Sequence, residues 1–281
     1  MRAVVITRPG GVEVLALRDV ADPVPGARQI RVRVHATAVN RADLMQRAGN
    51  YPAPPGAPRD IPGLEYAGVV DAVGEGVTRW ARGDRVMGLV AGGSYAELIV
   101  THENEAMRVP DALSLEDAAA IPEAFITAHD ALFTRMRLEP GEWLLIHAVG
   151  SGVGTAALQL AKAAGANVAG TQRSAWKLER ARPLGLDLAI TADAEHFAAE
   201  VLREAERGVD GILDLVGGPY LAGNLRAIRV LGRILVVGLV AGAKSELDMR
   251  LLLNRRATII GTVLRARPLD QKIEAARLFE R

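Results

Sequence analysis

Cysteine is absent from this chain of 281 residues, which excludes disulfides, redox-active thiols and zinc sites built on thiolates. Neither sign of charge dominates. Lys and Arg number 34 against 33 Asp and Glu, leaving a net charge of +1. No basic cluster forms a track for a phosphate backbone, so no nucleic-acid partner is expected. No apolar run reaches the roughly 18 residues that a membrane span needs. The five histidines are scattered, without H-E-x-x-H or another tight ligand spacing. The opening Met1-Arg-Ala-Val-Val-Ile lacks a signal peptide's apolar stretch, so the cytoplasm is the expected location. What remains, at 49% hydrophobic and 24% charged with 29 glycines, suits an α/β protein large enough for two domains.

The segment Leu144 to Ala157 carries the most information. An apolar strand runs into a glycine-dense turn, Gly150-Ser151-Gly152-Val153-Gly154, which opens a helix over Thr155 to Ala164. Gly165 ends that helix, and a second short strand follows at Asn167 to Gly170. Gly152, Gly154 and Ala157 satisfy G-x-G-x-x-[GA]. In this strand–turn–helix–strand setting the pattern predicts a pyrophosphate site at a helix N-terminus. An NAD-binding unit places Asp or Glu about 20 residues past the glycines, against the ribose 2′-OH. This chain instead has Gly170-Thr-Gln-Arg173-Ser174-Ala-Trp-Lys177, with no acid. Arg173 and Lys177 offer cationic donors for a 2′-phosphate and Ser174 a neutral one, so NADP(H) is expected over NAD(H). A solvated basic turn is the plainer alternative.

Before this unit the sequence is mostly β. Strands are expected at Met1–Ile6, Ile30–Ala38, Gly63–Val73, Arg85–Val90 and Ser94–Val100, separated by Gly- and Pro-rich turns. The proline-dense stretch between Tyr51 and Gly63 reads as an irregular loop. Short strands without a long helix suggest a compact, barrel-like β domain. His35 lies within the strand alternation and has a structural role in this reading. Ser114-Leu-Glu-Asp117 has a helix N-cap signature, Pro122 interrupts, and Thr127 to Phe133 is helical again. Further on, strands at Asp187–Ile190, Gly211–Val216, Arg233–Val237 and Thr258–Gly261 alternate with helices around Glu195–Glu206 and Leu221–Ile228. That alternation implies a parallel sheet covered on both faces, with the domain boundary near residue 120.

The motifs Val39-Asn40-Arg-Ala-Asp43-Leu, Gly49-Asn-Tyr51-Pro, Pro62-Gly-Leu64-Glu65-Tyr-Ala-Gly68 and Val73-Gly-Glu-Gly-Val77 then stand out. So do Gly83-Asp-Arg-Val86, Gly92-Gly-Ser-Tyr95-Ala-Glu97, Asp214-Leu-Val-Gly217-Gly218 and Gly238-Leu239-Val-Ala-Gly242. Together with the glycine turn, they make the chain resemble the zinc-free quinone oxidoreductases of the medium-chain dehydrogenase/reductase superfamily. The resemblance is strongest to the NADPH-dependent subgroup named after a p53-inducible quinone reductase. It implies a GroES-like β-rich catalytic domain (1–120), a Rossmann NADP(H)-binding domain (121–264), a segment returning to the catalytic domain (265–281) and a cleft between the domains. It also implies NADPH-dependent reduction of quinones or related conjugated carbonyls by a homodimer, without metal. Zinc-dependent relatives carry Cys near Val39 and Asn40 and Gly-His-Glu where this chain has Gly63-Leu64-Glu65; leucine cannot ligate.

On this resemblance, Asn40, Tyr51 and Ser151 are the candidate catalytic residues. Asn40 and Tyr51 can donate hydrogen bonds to an acceptor oxygen, and Tyr51 can pass a proton. The candidate NADPH residues are Thr127, Gly150, Gly152, Val153, Gly154, Arg173, Ser174, Lys177, Gly217, Gly238, Leu239 and Arg265. In the functional reading, loss of Arg265 impairs NADPH use or turnover and leaves the melting temperature of the cofactor-free protein nearly unchanged; the alternative is a solvated charge on the crossover between domains. Two other activities fit the same pattern: an NADPH-dependent 2-alkenal or enoyl reductase, and a catalytically silent NADPH-binding protein. The apolar Ala257 to Leu264 strand is a candidate dimer edge. Two departures stand out. Relatives in the subgroup have an Asn-Tyr sequence near the adenine where this chain has Ile190-Thr-Ala-Asp193, and they continue beyond Phe279-Glu-Arg281 with a helix and a final strand. Such a tail, if missing, would leave an apolar face uncovered.

Overall fold

Alternating apolar residues early in the chain and continuous apolar runs later produce two kinds of sheet, antiparallel and parallel. The computed structural model describes residues 1–191, 193–194 and 196–281. It divides into one unit of Met1–Ile126 with Leu264–Arg281 and a second of Thr127–Val263.

In the first unit, β1 (Arg2–Ile6) pairs antiparallel with β2 (Leu15–Asp19). There follow β3 (Gln29–Ala36), α1 (Arg41–Arg47), β4 (Glu65–Val73), β5 (Arg85–Leu89), β6 (Leu98–His102) and β7 (Ala106–Arg108). They make a five-stranded sheet, β6-β3-β4-β5-β7, antiparallel throughout. The period of two works as expected on β3: Ile30 and Val32 are buried beside Tyr66, Val70 and Val86, while His35 is exposed. The His35 imidazole pairs with Glu116 at 2.5 Å on that outer face. The turn-rich connection after β4 is pinned by Glu103, whose carboxylate accepts from the Thr78 and Arg79 amides at 2.9 Å each. The sequence then turns helical. Ser114 caps α2 (Leu115–Ala118) by accepting from the Asp117 amide at 3.0 Å, as its N-cap signature predicts.

Pro122 does not interrupt a helix; it is the first residue of α3 (Pro122–His129), where a missing N–H is no loss. Wider π-helical turns continue from it over Asp130–Arg135.

The second unit contains β8 (Trp143–His147), α4 (Gly152–Ala163), β9 (Asn167–Gln172), α5 (Ala175–Ala181), β10 (Leu188–Thr191) and α6 (Phe197–Glu204). It continues with β11 (Val209–Asp214), α7 (Tyr220–Ala227), β12 (Ile228–Val236), α8 (Met249–Arg255) and β13 (Thr258–Gly261). The six strands are parallel and ordered β10-β9-β8-β11-β12-β13. Counted from β8 this is 3-2-1-4-5-6, the doubly wound dinucleotide-binding order. Leu144, Leu145 and Ile146 are fully buried in succession, as expected for a strand covered on both faces. β12 starts before the expected Arg233, at Ile228, and runs across an irregularity where Leu231 takes φ 66° and the pairing with β11 shifts register. Of the helix expected around Glu195 to Glu206, Glu195 lies outside the described residues, as does Ala192 of the adenine-side stretch.

The chain then returns to the first unit as α9 (Leu269–Glu280). Ala275, Ala276 and Phe279 pack with Leu264 onto Ala67, Met87, Met107 and Ile126.

Candidate active site

The glycine turn after β8 is built for close approach. A Cβ added to Gly154 would lie 2.4 Å from the Ala148 carbonyl oxygen, so only glycine lets α4 start this near its strand. Ser151 is the N-cap of α4, its Oγ accepting from the Gly154 amide at 3.1 Å. Gly152 and Val153 fall in the first turn, where helix geometry leaves amides without an intrahelical acceptor. That end of the helix attracts anions.

The Gly150 amide donates to Gln172 Oε1 at 3.3 Å, and a Cβ on Gly150 would meet Lys177 Cβ at 2.8 Å. The phosphate-type turn and the basic start of α5 are therefore adjacent. Arg173 is exposed and Ser174 is the N-cap of α5 with no side-chain capping bond. The Lys177 ammonium lies 5.5 Å from the Trp176 ring centroid. Among the described residues, no carboxylate pairs with Arg173 or Lys177.

A cavity of about 280 Å³ opens at the carboxyl ends of these strands, walled by Ala148, Thr171, Gln172, Arg173, Leu215, Val216, Tyr220, Val240 and Ala241. It lies where the strand order reverses between β8 and β11, the place at which doubly wound sheets bind ligands. The loops after β11 and β12 touch through glycine: a Cβ on Gly238 would lie 2.4 Å from the Leu215 carbonyl oxygen. Gly217, at φ 69°, faces Gly238, Leu239 and Gly242. The structure thus gathers Gly150 with Lys177, and Gly217 with Gly238 and Leu239. Thr127, half-buried on α3, is not among the cavity's walls.

Under the cavity runs a buried polar network that the motifs did not reveal. Asp214 Oδ1 accepts from the Val216 and Gly217 amides at 2.8 and 2.7 Å, and Oδ2 accepts from Asn224 Nδ2 at 2.9 Å. Asn224 Oδ1 is then left to accept from His147 Nε2 at 2.7 Å, and His147 Nδ1 meets Thr171 Oγ1 at 2.9 Å. Burial holds the imidazole below its ordinary pKa against the opposing pull of Asp214, so the ring is neutral. With Nε2 donating, Nδ1 accepts from the threonine hydroxyl.

In the first unit, Asn40 is the N-cap of α1 and its amide Nδ2 donates to Glu65 Oε1 at 2.6 Å. Glu65 Oε2 accepts from the Glu123 amide at 2.8 Å. Asp43 accepts from the Asn40 and Gly63 amides at 2.8 and 3.0 Å and from the Tyr95 hydroxyl at 3.2 Å. Burial raises the Asp43 and Glu65 carboxyls, and these donors oppose it. Glu123 is pushed up to about 8 by burial and by Glu65 and Asp43, with Arg265 pulling the other way.

Arg265 is buried, at 6% exposure, and is not a solvated crossover charge. Its Nε donates to the Ala91 carbonyl at 2.8 Å, Nη2 to Gln46 Oε1 at 2.5 Å and Nη1 to the Tyr51 carbonyl at 3.4 Å. Burial also raises the Tyr51 hydroxyl, which stays protonated through the neutral range. The Arg265 charge acts on Tyr51, Asp43 and Glu123, and Asp43 in turn accepts from the Asn40 amide.

These side chains do not suit zinc. Leu64 is buried and ligates nothing, Asn40 is committed to Glu65, and the described residues include no group of three or more His, Cys, Asp or Glu able to hold a metal. No helix among the described residues is long and apolar enough to cross a membrane.

Two family models match the chain: "Alcohol dehydrogenase GroES-like domain" over residues 26–111 and "Zinc-binding dehydrogenase" over residues 152–281. The first makes the β unit GroES-like; the second covers most of the Rossmann-like, nucleotide-binding unit. Quinone oxidoreductase of Rattus norvegicus is 34% identical over 94% of this chain and 80% of its own length. The human synaptic vesicle membrane protein VAT-1 homolog is 36% identical over 88% of the chain and 64% of its own length. Among solved structures, mycobacterial Rv1454c complexed with NADPH superposes with a TM-score of 0.88 at 28% identity, covering 99% of this chain and 86% of that one.

Proposed function

The chain belongs to the zinc-independent, quinone-oxidoreductase-like family of the medium-chain dehydrogenase/reductase superfamily, and on that premise we propose that it reduces quinones with NADPH. The observation that carries the cofactor assignment is Arg173. It stands on the wall of the switch-point cavity, where an NAD-binding unit would present a carboxylate. The α4 N-terminus at Gly150 to Gly154 would receive the pyrophosphate, and Arg173, Ser174 and Lys177 the 2′-phosphate. The structure of the mycobacterial relative with NADPH supports the same choice. Membership of the NADPH-dependent subgroup named after the p53-inducible enzyme is part of the proposal and rests on the sequence motifs alone.

Bound nicotinamide supplies the hydride. The protein's part is to hold a flat, electron-poor acceptor and stabilise the charge that develops on its oxygen. Tyr51 can do this as a donor, since burial keeps its hydroxyl protonated. Asn40 has a second amide hydrogen besides the one given to Glu65, and that bond fixes the amide's orientation. A conjugated acceptor needs no Lewis acid for this step, which matches the donor set present.

Assembly as a homodimer is part of the proposal. β13 is the edge of the parallel sheet, and Ile259 and Val263 near it are exposed. Light scattering at micromolar protein should give a dimer mass; a monomer mass would reject it. The function itself is tested by NADPH oxidation with a panel of quinones, set against NADH under the same conditions.

A further inference from the structure

Nine residues wall the cavity at the carboxyl ends of the parallel strands, and His147 is not one of them. It is nevertheless tied to three that are. Its Nδ1 accepts from the hydroxyl of Thr171 at 2.9 Å. Its ring meets Tyr220 edge-on, with centroids 4.7 Å apart, and Tyr220 in turn stacks on Phe197 at 5.5 Å. Through Asn224 it holds Asp214, whose Oδ1 fixes the amide of Val216 at 2.8 Å. Thr171 lies on β9, Val216 in the loop after β11 and Tyr220 at the start of α7, and one imidazole is tied to all three. His147, Asn224 and Thr171 are fully buried and Asp214 nearly so, so no water competes for these bonds.

The order of donors is forced. Asp214 is saturated by N–H groups, so Asn224 must turn its Nδ2 toward it and its Oδ1 toward the ring. Only a ring that donates from Nε2 and accepts at Nδ1 closes the chain. The Asp214 carboxylate then draws the two amides at the start of the loop after β11 inward, which sets the direction of that cavity wall.

From this geometry we infer that His147 is a positioning residue for the dinucleotide: it never touches the cofactor, and it sets the cavity wall through Asn224, Asp214 and Thr171. The inference rests on the nucleotide-binding reading of this cavity. A bond to a buried acceptor that loses its donor leaves an unsatisfied group. The wall relaxes around that group, and re-forming it on binding is expected to weaken affinity about tenfold, which is about 1.4 kcal/mol.

The test uses three variants of the whole chain, NADPH titration by fluorescence, and hydrogen–deuterium exchange of the Val209–Tyr220 segment without cofactor. His147→Phe keeps an aromatic ring and loses both bonds; it should raise the NADPH Kd about tenfold and speed exchange at Val216 and Gly217. His147→Gln keeps a donor toward Asn224 and should stay within about threefold of wild type. Asn224→Leu breaks the chain two bonds from the cavity wall, should match the phenylalanine variant, and carries the test if that variant fails to fold. Wild-type Kd and exchange in Asn224→Leu would overturn the inference. So would equal weakening in the Gln and Phe variants, which would assign the effect to ring packing alone. Wild-type protein that binds neither NADPH nor NADH would refute the nucleotide reading instead, and the exchange measurement would still decide whether His147 sets the loop.

Discussion

The Arg265 guanidinium lies over the Tyr51 ring, 5.0 Å from its centroid, while donating to the Ala91 carbonyl and to Gln46. A residue on the returning segment thereby fixes a residue of the proline-rich loop and one of α1. The consequence is structural first. Arg265→Ala leaves three buried or half-buried acceptors without their donor, a loss on the order of 2–4 kcal/mol. Its melting temperature should fall by several degrees even without cofactor, contrary both to a solvated charge and to the expectation that a residue serving only the cofactor leaves the melt nearly unchanged. Arg265→Lys should restore little, because an ammonium cannot reproduce the planar fork. Calorimetry on both variants checks this, and a wild-type melt in Arg265→Ala would contradict it.

Lys177→Ala and Arg173→Ala address cofactor choice. Each removes a charge-assisted donor beside the glycine turn, worth about 1.5–3 kcal/mol to a dianion and nothing to a ribose hydroxyl. The NADPH Kd should rise about tenfold or more, with NADH shifting by less than about threefold. Equal losses for both cofactors would remove these residues from the 2′-phosphate.

The two units were unequally legible. The Rossmann-like unit could be read because its strands are buried on both faces and spell continuous apolar runs, and because the glycine turn has a steric cause at Gly154. The GroES-like sheet was visible in the β3 alternation, but β2, β7 and α1 were missed. They are short, so periodicity has little length to show itself; α1 is set by a local cap, the Asp43 carboxylate accepting from the amide of the N-cap Asn40. α5 and α8 were missed for the same reason of length. At the candidate site, the residues named in advance were those with spacing signatures. His147, Asn224 and Glu123 carry no spacing signal, since their partners lie far away in sequence; Asp43 and Glu65 stand within the motifs, but their bonds to the Gly63 amide, the Asn40 side chain and the Glu123 amide are long-range and have no pattern. Asp214 is visible too, as an acid ending an apolar strand just before Gly217-Gly218.

Glu123 makes stability depend on pH. Its carboxyl is raised in the fold from 4.5 to about 8, so its contribution is full below 4.5 and is lost as pH rises through about 8. Burial shifts Asp43 and Glu65 in the same direction. Thermal melts should therefore show a lower midpoint at pH 9 than at pH 6. Glu123→Gln should flatten that slope, and a variant as pH-sensitive as wild type would assign it to other groups.

Tyr51→Phe separates chemistry from binding. Removing the hydroxyl should lower turnover with a quinone by about 10²-fold or more, within the roughly 10²–10⁴ range for a lost general acid, and leave the NADPH Kd unchanged. Unchanged rates at both saturating and limiting quinone would exclude Tyr51 from the mechanism.

The central claim is hydride transfer from NADPH to a conjugated carbonyl without metal. Steady-state oxidation of NADPH, followed at its nicotinamide absorbance in the presence of a chelator, tests it with 1,4-benzoquinone, naphthoquinones and 2-alkenals in parallel. The account predicts rapid, chelator-insensitive oxidation with at least one quinone, much slower oxidation of NADH, and weaker rates with alkenals. Faster turnover of alkenals than of any quinone would make the protein an alkenal or enoyl reductase, and tight NADPH binding with no oxidation by any acceptor would contradict catalysis altogether.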